Sequence, residues 1–146
     1  MAEQTSSSLL VDAPPSRVMA VIADFPRYPE WASGVRHCEV RETLPDGRAR
    51  EVWFELDATP IKESYTLLYA WQDDEHVSWS LGSAGRMLRR LDGSYRLAPR
   101  DGAPEVTYHL GVELGIPMIG LLKRKAEKLI IDTALKGLKQ RVEGSP

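Results

Sequence analysis

From Val35 to Leu114 the apolar residues recur with a period of two, and beyond Gly115-Ile116-Pro117 the period becomes helical and runs unbroken to about Val142. That final tract is roughly seven turns at 3.6 residues each. A sheet with one apolar face must bury that face, and only this helix is long enough to cover it. The pattern therefore predicts an α+β fold: a curved antiparallel sheet of about seven strands around a long C-terminal helix, with two short helices after the first strand.

The strands are cut out by turn signals at hairpin spacing: Pro45-Asp46-Gly47, Ala58-Thr59-Pro60, Gln72-Asp73-Asp74-Glu75, Gly82 to Gly85, and Arg100-Asp101-Gly102. Between them Val52, Phe54 and Leu56 alternate with Trp53, Glu55 and Asp57, Tyr65, Leu67 and Tyr69 with Ser64, Thr66 and Leu68, and Val77, Trp79 and Leu81 with Ser78 and Ser80. Leu91, Tyr95 and Leu97 continue the same face, followed by Val106, Tyr108, Leu110 and Val112. Ahead of them, Leu9-Leu10-Val11 reads as the end of a first strand. Asp12 or Ser16 is expected to cap a short helix carrying Val18, Val21 and Ile22. In Phe25-Pro26-Arg27-Tyr28-Pro29-Glu30-Trp31, two prolines prevent one continuous helix and the rings suit a short second turn. On the last helix, Leu122, Leu129, Ile130 and Leu138 are expected to face inward with small Ala126, Thr133, Ala134 and Gly137. Lys123, Arg124, Lys128, Lys136 and Lys139 are expected to look outward.

The 146 residues suit one domain spanning 1–146, and 42% hydrophobic with 27% charged residues argues against disorder. A net charge of -2 gives the chain as a whole no polyanion-binding character, so no nucleic-acid partner is expected. One cysteine, Cys38, excludes an internal disulfide and reads as a small buried hydrophobe. The first eight residues lack a signal-peptide profile and no apolar run reaches the roughly 20 residues that span a bilayer, so a cytoplasmic protein without integral membrane association is expected.

A curved sheet meeting a single helix leaves space between them, and small residues on the helix are expected to widen it. The inward tyrosines sharpen this reading, since a hydroxyl buried without a partner costs about 1–3 kcal/mol and a closed core favours aliphatic side chains. A pocket for a hydrophobic ligand follows. Its expected lining is Tyr28, Trp31, Phe54, Tyr65, Leu67, Tyr69, Trp79, Leu91, Tyr95, Tyr108 and Leu110 from the first part of the chain. Leu122, Ala126, Leu129, Ile130 and Thr133 are expected to contribute from the helix, with Glu63 and Arg89 as candidate polar groups.

Several segments carry a family likeness: Val11-Asp12-Ala13-Pro14, Ile22 through Trp31 with its Asp-x-x-x-Tyr-Pro-x-Trp element, Val77-Ser78-Trp79, Leu91-Asp92-Gly93-Ser94-Tyr95, and Val106-Thr107-Tyr108. Together they resemble the polyketide cyclase/dehydrase and coenzyme-Q-binding branch of the START-like, helix-grip superfamily, over nearly the whole chain. The resemblance implies a helix-grip fold with a hydrophobic pocket. In the related aromatic cyclases it further implies an aromatic side chain in the second short helix, a place Tyr28 can take, and a strand-borne arginine. The matching strand here, Tyr65-Thr66-Leu67-Leu68-Tyr69, has no arginine; Arg89, in phase with Leu91 and Tyr95, is the substitute to consider.

Other chemistry finds little support. His37, His76 and His109 sit on separate strands without short-range pairing, so no metal is expected. His37 and Cys38 are strand neighbours pointing to opposite faces and do not form a catalytic pair. Gly82-Ser83-Ala84-Gly85 lacks the lysine of a phosphate loop. The leading expectation is a cofactor-free monomer or homodimer that binds or carries a lipid, isoprenoid quinone or aromatic polyketide-like molecule. A polyketide aromatase/cyclase or dehydratase without metal, and an interaction protein of the ribosome-association toxin type, stand as alternatives.

Overall fold

The computed structural model describes residues 5–32, 34–58, 61–83, 87–100, 103–115 and 120–144. The turn residues Thr59, Pro60, Ala84, Gly85, Asp101, Gly102, Ile116 and Pro117 fall outside them, as does the side chain of Leu122. Element order follows the pattern read from the sequence. Strand β1 (Thr5–Leu10) precedes helix α1 (Pro15–Ala23), a 3-10 turn (Phe25–Arg27) and helix α2 (Tyr28–Trp31). Six strands follow: β2 (Val35–Thr43), β3 (Ala49–Ala58), β4 (Ile61–Gln72), β5 (His76–Leu81), β6 (Leu88–Arg100) and β7 (Ala103–Leu114). Helix α3 (Gly120–Gly144) closes the chain. The strands form one antiparallel sheet in the order β1-β7-β6-β5-β4-β3-β2, so β1 and β2 are its edges.

Pro45-Asp46-Gly47 makes the β2–β3 turn because Gly47 takes φ +92°, open to glycine without strain, and Asp46 Oδ1 accepts the Arg48 amide at 2.9 Å. The N-terminus of α1 departs from expectation: neither Asp12 nor Ser16 caps it. Pro14 occupies the cap position without a side-chain hydrogen bond, and Pro15 opens the helix with its fixed φ. The Asp12 amide instead donates to Glu143 near the end of α3, at 2.7 Å.

Helix α3 packs against β1, β7, α1 and α2. Its buried stripe is Glu127, Ile131, Leu135, Leu138 and Val142, which meets Val18, Met19 and Ile22 of α1 in one core. This corrects the stripe expected from the sequence. Leu129 is 69% exposed and Thr133 is exposed, while Ala126 and Ile130 are half-buried beside the stripe. A pattern that treats every carboxylate as outward turns the helix away from Glu127, and Glu127 is 2% exposed. Its carboxylate accepts the Val112 amide at 2.8 Å and the Thr5 hydroxyl at 2.6 Å. The described β1–β7 pairing reaches Thr5↔Leu110, and two residues further along β7 the Val112 amide is taken up by the helix.

Gly137 does not widen a cavity either. A Cβ there would lie 2.5 Å from the Trp31 carbonyl oxygen, so the glycine permits close contact between α3 and α2. Both sheet edges are irregular or covered. The β2–β3 register shifts between Val35 and His37, between Val40 and Glu42, and between Glu42 and Thr43. Along β1, Lys139 donates to the Leu10 carbonyl at 2.8 Å and Lys128 to the Ser7 hydroxyl at 3.3 Å.

Candidate functional site

The alternation in β3 to β7 places Phe54, Tyr65, Leu67, Tyr69, Trp79, Tyr95, Tyr108 and Leu110 on the inner face, all buried, with Leu91 half-buried among them. Their rings form a continuous path across four strands. Tyr69 and Trp79 have centroids 5.7 Å apart, Trp79 lies 5.5 Å from Tyr95 and 5.6 Å from Tyr108, and Tyr95 meets Tyr108 at 4.7 Å. Phe54 stacks on Tyr65 at 5.7 Å. Opposite Trp79 in the β5–β6 pairing is Gly93, where a Cβ would come 2.7 Å from the indole. The missing side chain lets the tryptophan lie flat across β6 toward β7.

One end of this path is a plug. Phe25, fully buried, touches Tyr28, Phe54, Tyr69 and Trp71 with centroids 4.9 to 6.2 Å apart, and Tyr28 packs on Trp31 at 4.9 Å. The Tyr28 hydroxyl donates to the Ile22 carbonyl at 2.5 Å. Tyr28, expected as an aromatic lining residue, therefore commits its hydroxyl to α1. Phe25 and Trp71 were absent from the lining expected from the sequence. The signal for Phe25 was its place in the Phe-Pro-x-Tyr-Pro run, which reads only as local packing until Tyr69 is brought against it.

The other tyrosines differ. Among the described residues the hydroxyls of Tyr65, Tyr69, Tyr95 and Tyr108 make no hydrogen bond, while the residues themselves keep 5–9% of their surface accessible. Val52, Val77 and Val106 on the same face are at 0%. Burial pushes Tyr28, Tyr69 and Tyr95 well above the ordinary phenol value of 10.0 and raises Tyr65 and Tyr108 in the same direction. At neutral pH these are neutral donors, suited to a carbonyl or hydroxyl oxygen and unsuited to act as bases. Burial also pushes the Cys38 thiol up to about 12.

The two candidate ionic groups are elsewhere. Glu63 is in phase with Tyr65, but its two oxygens accept the Met87 amide at 2.5 Å and the Leu88 amide at 2.7 Å. Strand β5 ends at Leu81, and the chain beyond it stays on β4 through Gly82 N–H to Thr66 O at 2.8 Å and Thr66 N–H to Ser83 O at 3.1 Å. At the level of Glu63 the carboxylate thus bridges β4 to the start of β6. Arg89 is exposed, because a register shift between Leu88 and Arg90 breaks the alternation that aligned it with Leu91. Leu88 takes the buried position, and the Arg89 guanidinium lies over Gly115. No group of three or more histidine, cysteine or carboxylate residues gathers at metal-binding distance among the described residues. A surface recess of about 550 Å³ at the β3–β4 end is lined by Arg36, Asp57, Lys62 and Glu63 among others; its charges suit it poorly to an apolar molecule.

The family model for polyketide cyclase / dehydrase and lipid transport matches residues 2–143. No curated protein matches the sequence. Among solved structures, a START superfamily protein from Mycobacterium smegmatis superposes with a TM-score of 0.90 at 17% identity, covering 98% of this chain and 99% of the other. TTHA0849 from Thermus thermophilus gives 0.79 at 21% identity over 98% and 99%. The Zhui aromatase/cyclase from Streptomyces sp. R1128 gives 0.77 at 12% identity over 97% and 96%. At such identities these likenesses establish the START-like, helix-grip fold.

Proposed function

The chain belongs to the polyketide cyclase/dehydrase and lipid transport family, and on that premise we propose that it binds and carries a hydrophobic small molecule between the inner face of the sheet and α3. The observation that carries this reading is the set of neutral tyrosines at Tyr65, Tyr69, Tyr95 and Tyr108, whose hydroxyls have no partner among the described residues. Neutral donors that keep a little accessible surface beside an aromatic wall suit a mostly apolar ligand bearing a few acceptor oxygens. Isoprenoid quinones, oxygenated lipids and aromatic polyketide-like molecules share that chemistry. Leu67, Trp79, Leu91 and Leu110 supply apolar contact from the sheet, and Ala126 and Ile130 from the helix. Phe25, Tyr28 and Trp31 act as the floor.

The cyclase alternative draws on an interior ion, and the two groups considered for that role are committed to a strand junction and to the surface. The carrier reading is therefore preferred. Thermal denaturation and native mass spectrometry against a quinone, a phospholipid and an aromatic polyketide test it. A ligand at about a hundred times its Kd stabilises by about 2.7 kcal/mol, raising Tm by roughly 5–10 °C at this chain length. Substituting Tyr65→Phe and Tyr108→Phe together weakens that shift. If none of the three classes is retained or moves Tm, the carrier reading is wrong.

A further inference from the structure

Glu127 is the key to the surface of α3. Between Gly120 and Gly137 the sequence holds five cations, Lys123, Arg124, Lys125, Lys128 and Lys136, and two acids, Glu127 and Asp132. Glu127 is buried and occupied by Val112 and Thr5, which leaves Asp132 as the one acid facing outward on this stretch. The chain carries a net charge of -2, so this face is opposite in sign to the molecule as a whole. At the centre of the face is Leu129, the most exposed large apolar side chain among the described residues at 69%. Lys125 lies one turn before it, and Lys128 is beside it. Lys125, Lys128 and Lys136 are all exposed. Lys128 is paired with Asp132 at 2.9 Å and also donates to Ser7 at 3.3 Å, so the positive charge beside Leu129 comes mainly from Lys125 and Lys136.

We propose that this outward face of α3 docks on an anionic membrane surface, its cations on the headgroups and Leu129 in the interface. Charge complementarity selects the occupant: an exposed leucine flanked by lysines is poorly placed against a neutral surface, and gains from one that is anionic and apolar beneath. The inference goes beyond ligand binding in the interior and stands or falls separately from it.

Co-sedimentation with vesicles of phosphatidylcholine alone, and of phosphatidylcholine with phosphatidylserine, tests the proposal on the full chain with no added hydrophobic ligand. Binding is expected to the serine-containing vesicles and to fall as salt is raised. Lys125→Glu changes the charge by two, and at about fivefold per charge it lowers partitioning roughly 30-fold. Leu129→Ser lowers partitioning while leaving the salt dependence in place. Both positions are exposed, so an unchanged melting temperature verifies that the variants fold. Equal binding to the two vesicle types, no binding, or insensitivity to Lys125→Glu overturns the proposal. So does binding to single-stranded RNA that Lys125→Glu abolishes in the absence of vesicle binding, an outcome that assigns the face to nucleic acid. Retention of a quinone or lipid by thermal shift without vesicles bears only on the interior.

Discussion

Replacing Gly137 by alanine sets two well-characterised effects against each other. In an ordinary helix interior the change stabilises by about 1 kcal/mol, because alanine loses less backbone freedom on folding. In this helix the new methyl would be placed 2.5 Å from the Trp31 carbonyl oxygen and 3.6 Å from the Trp31 carbonyl carbon and ring. The obstacle is backbone, which cannot rotate aside as a side-chain tip can, so α2 and α3 must separate by several tenths of an ångström. Overpacking of this kind costs about 1–3 kcal/mol, and more where main chain opposes main chain. The clash wins, giving a net loss of about 1–2 kcal/mol and a fall in Tm of roughly 2–8 °C. Gly144→Ala is the control in the same helix, since a Cβ there meets nothing within 4 Å. Thermal and urea unfolding followed by circular dichroism, with tryptophan fluorescence reporting on the α2 contact, measures both. If Gly137→Ala raises Tm, the close approach of α2 and α3 is wrong, and with it the plugged end of the interior.

Three further outcomes follow from the geometry. Glu127→Ala strands the Val112 amide and is expected to cost about 3 kcal/mol by urea denaturation, while Glu127→Gln costs about 1 kcal/mol; equal, small losses for both would show that the carboxylate is dispensable. Glu63→Ala removes the acceptor of two amides at the β4–β6 junction and is expected to cost about 2–3 kcal/mol. It also speeds hydrogen exchange at Met87 and Leu88, and unchanged exchange there would refute the bridge. Raised phenols and a raised thiol give stability that is complete below the unfolded-state values, near 10.0 for tyrosine and 9.0 for cysteine, and lost as pH climbs above them toward the folded values. Phenolate absorbance is therefore expected to appear together with loss of the tryptophan signal in alkaline titration. Tyrosines that ionise in the intact fold near the ordinary value would contradict their burial.

The fold was legible in the sequence because its two periods are separated along the chain, and because Asp46-Gly47 and the aspartates after Gln72 mark turns that the strands obey. The inner aromatic face was legible for the same reason, Tyr65 through Tyr108 falling in phase strand by strand. What escaped notice depends on contacts across the chain. The stripe on α3 is set by a carboxylate that meets Val112 and Thr5, and a charged residue read from periodicity alone is always turned outward. The side on which Arg89 lies depends on a bulge, which shifts phase without altering composition. The use of the Tyr28 hydroxyl depends on where α1 finishes.

The irregular edges of the sheet have a consequence for how copies of this protein meet one another. A straight outer strand invites a second chain to extend its ladder. The shifted register of β2 interrupts that template on one side, and on the other Lys139 of α3 takes the Leu10 carbonyl of β1. Strand-to-strand polymerisation in concentrated solution is thereby disfavoured, and self-association is expected to draw on side chains of a face instead.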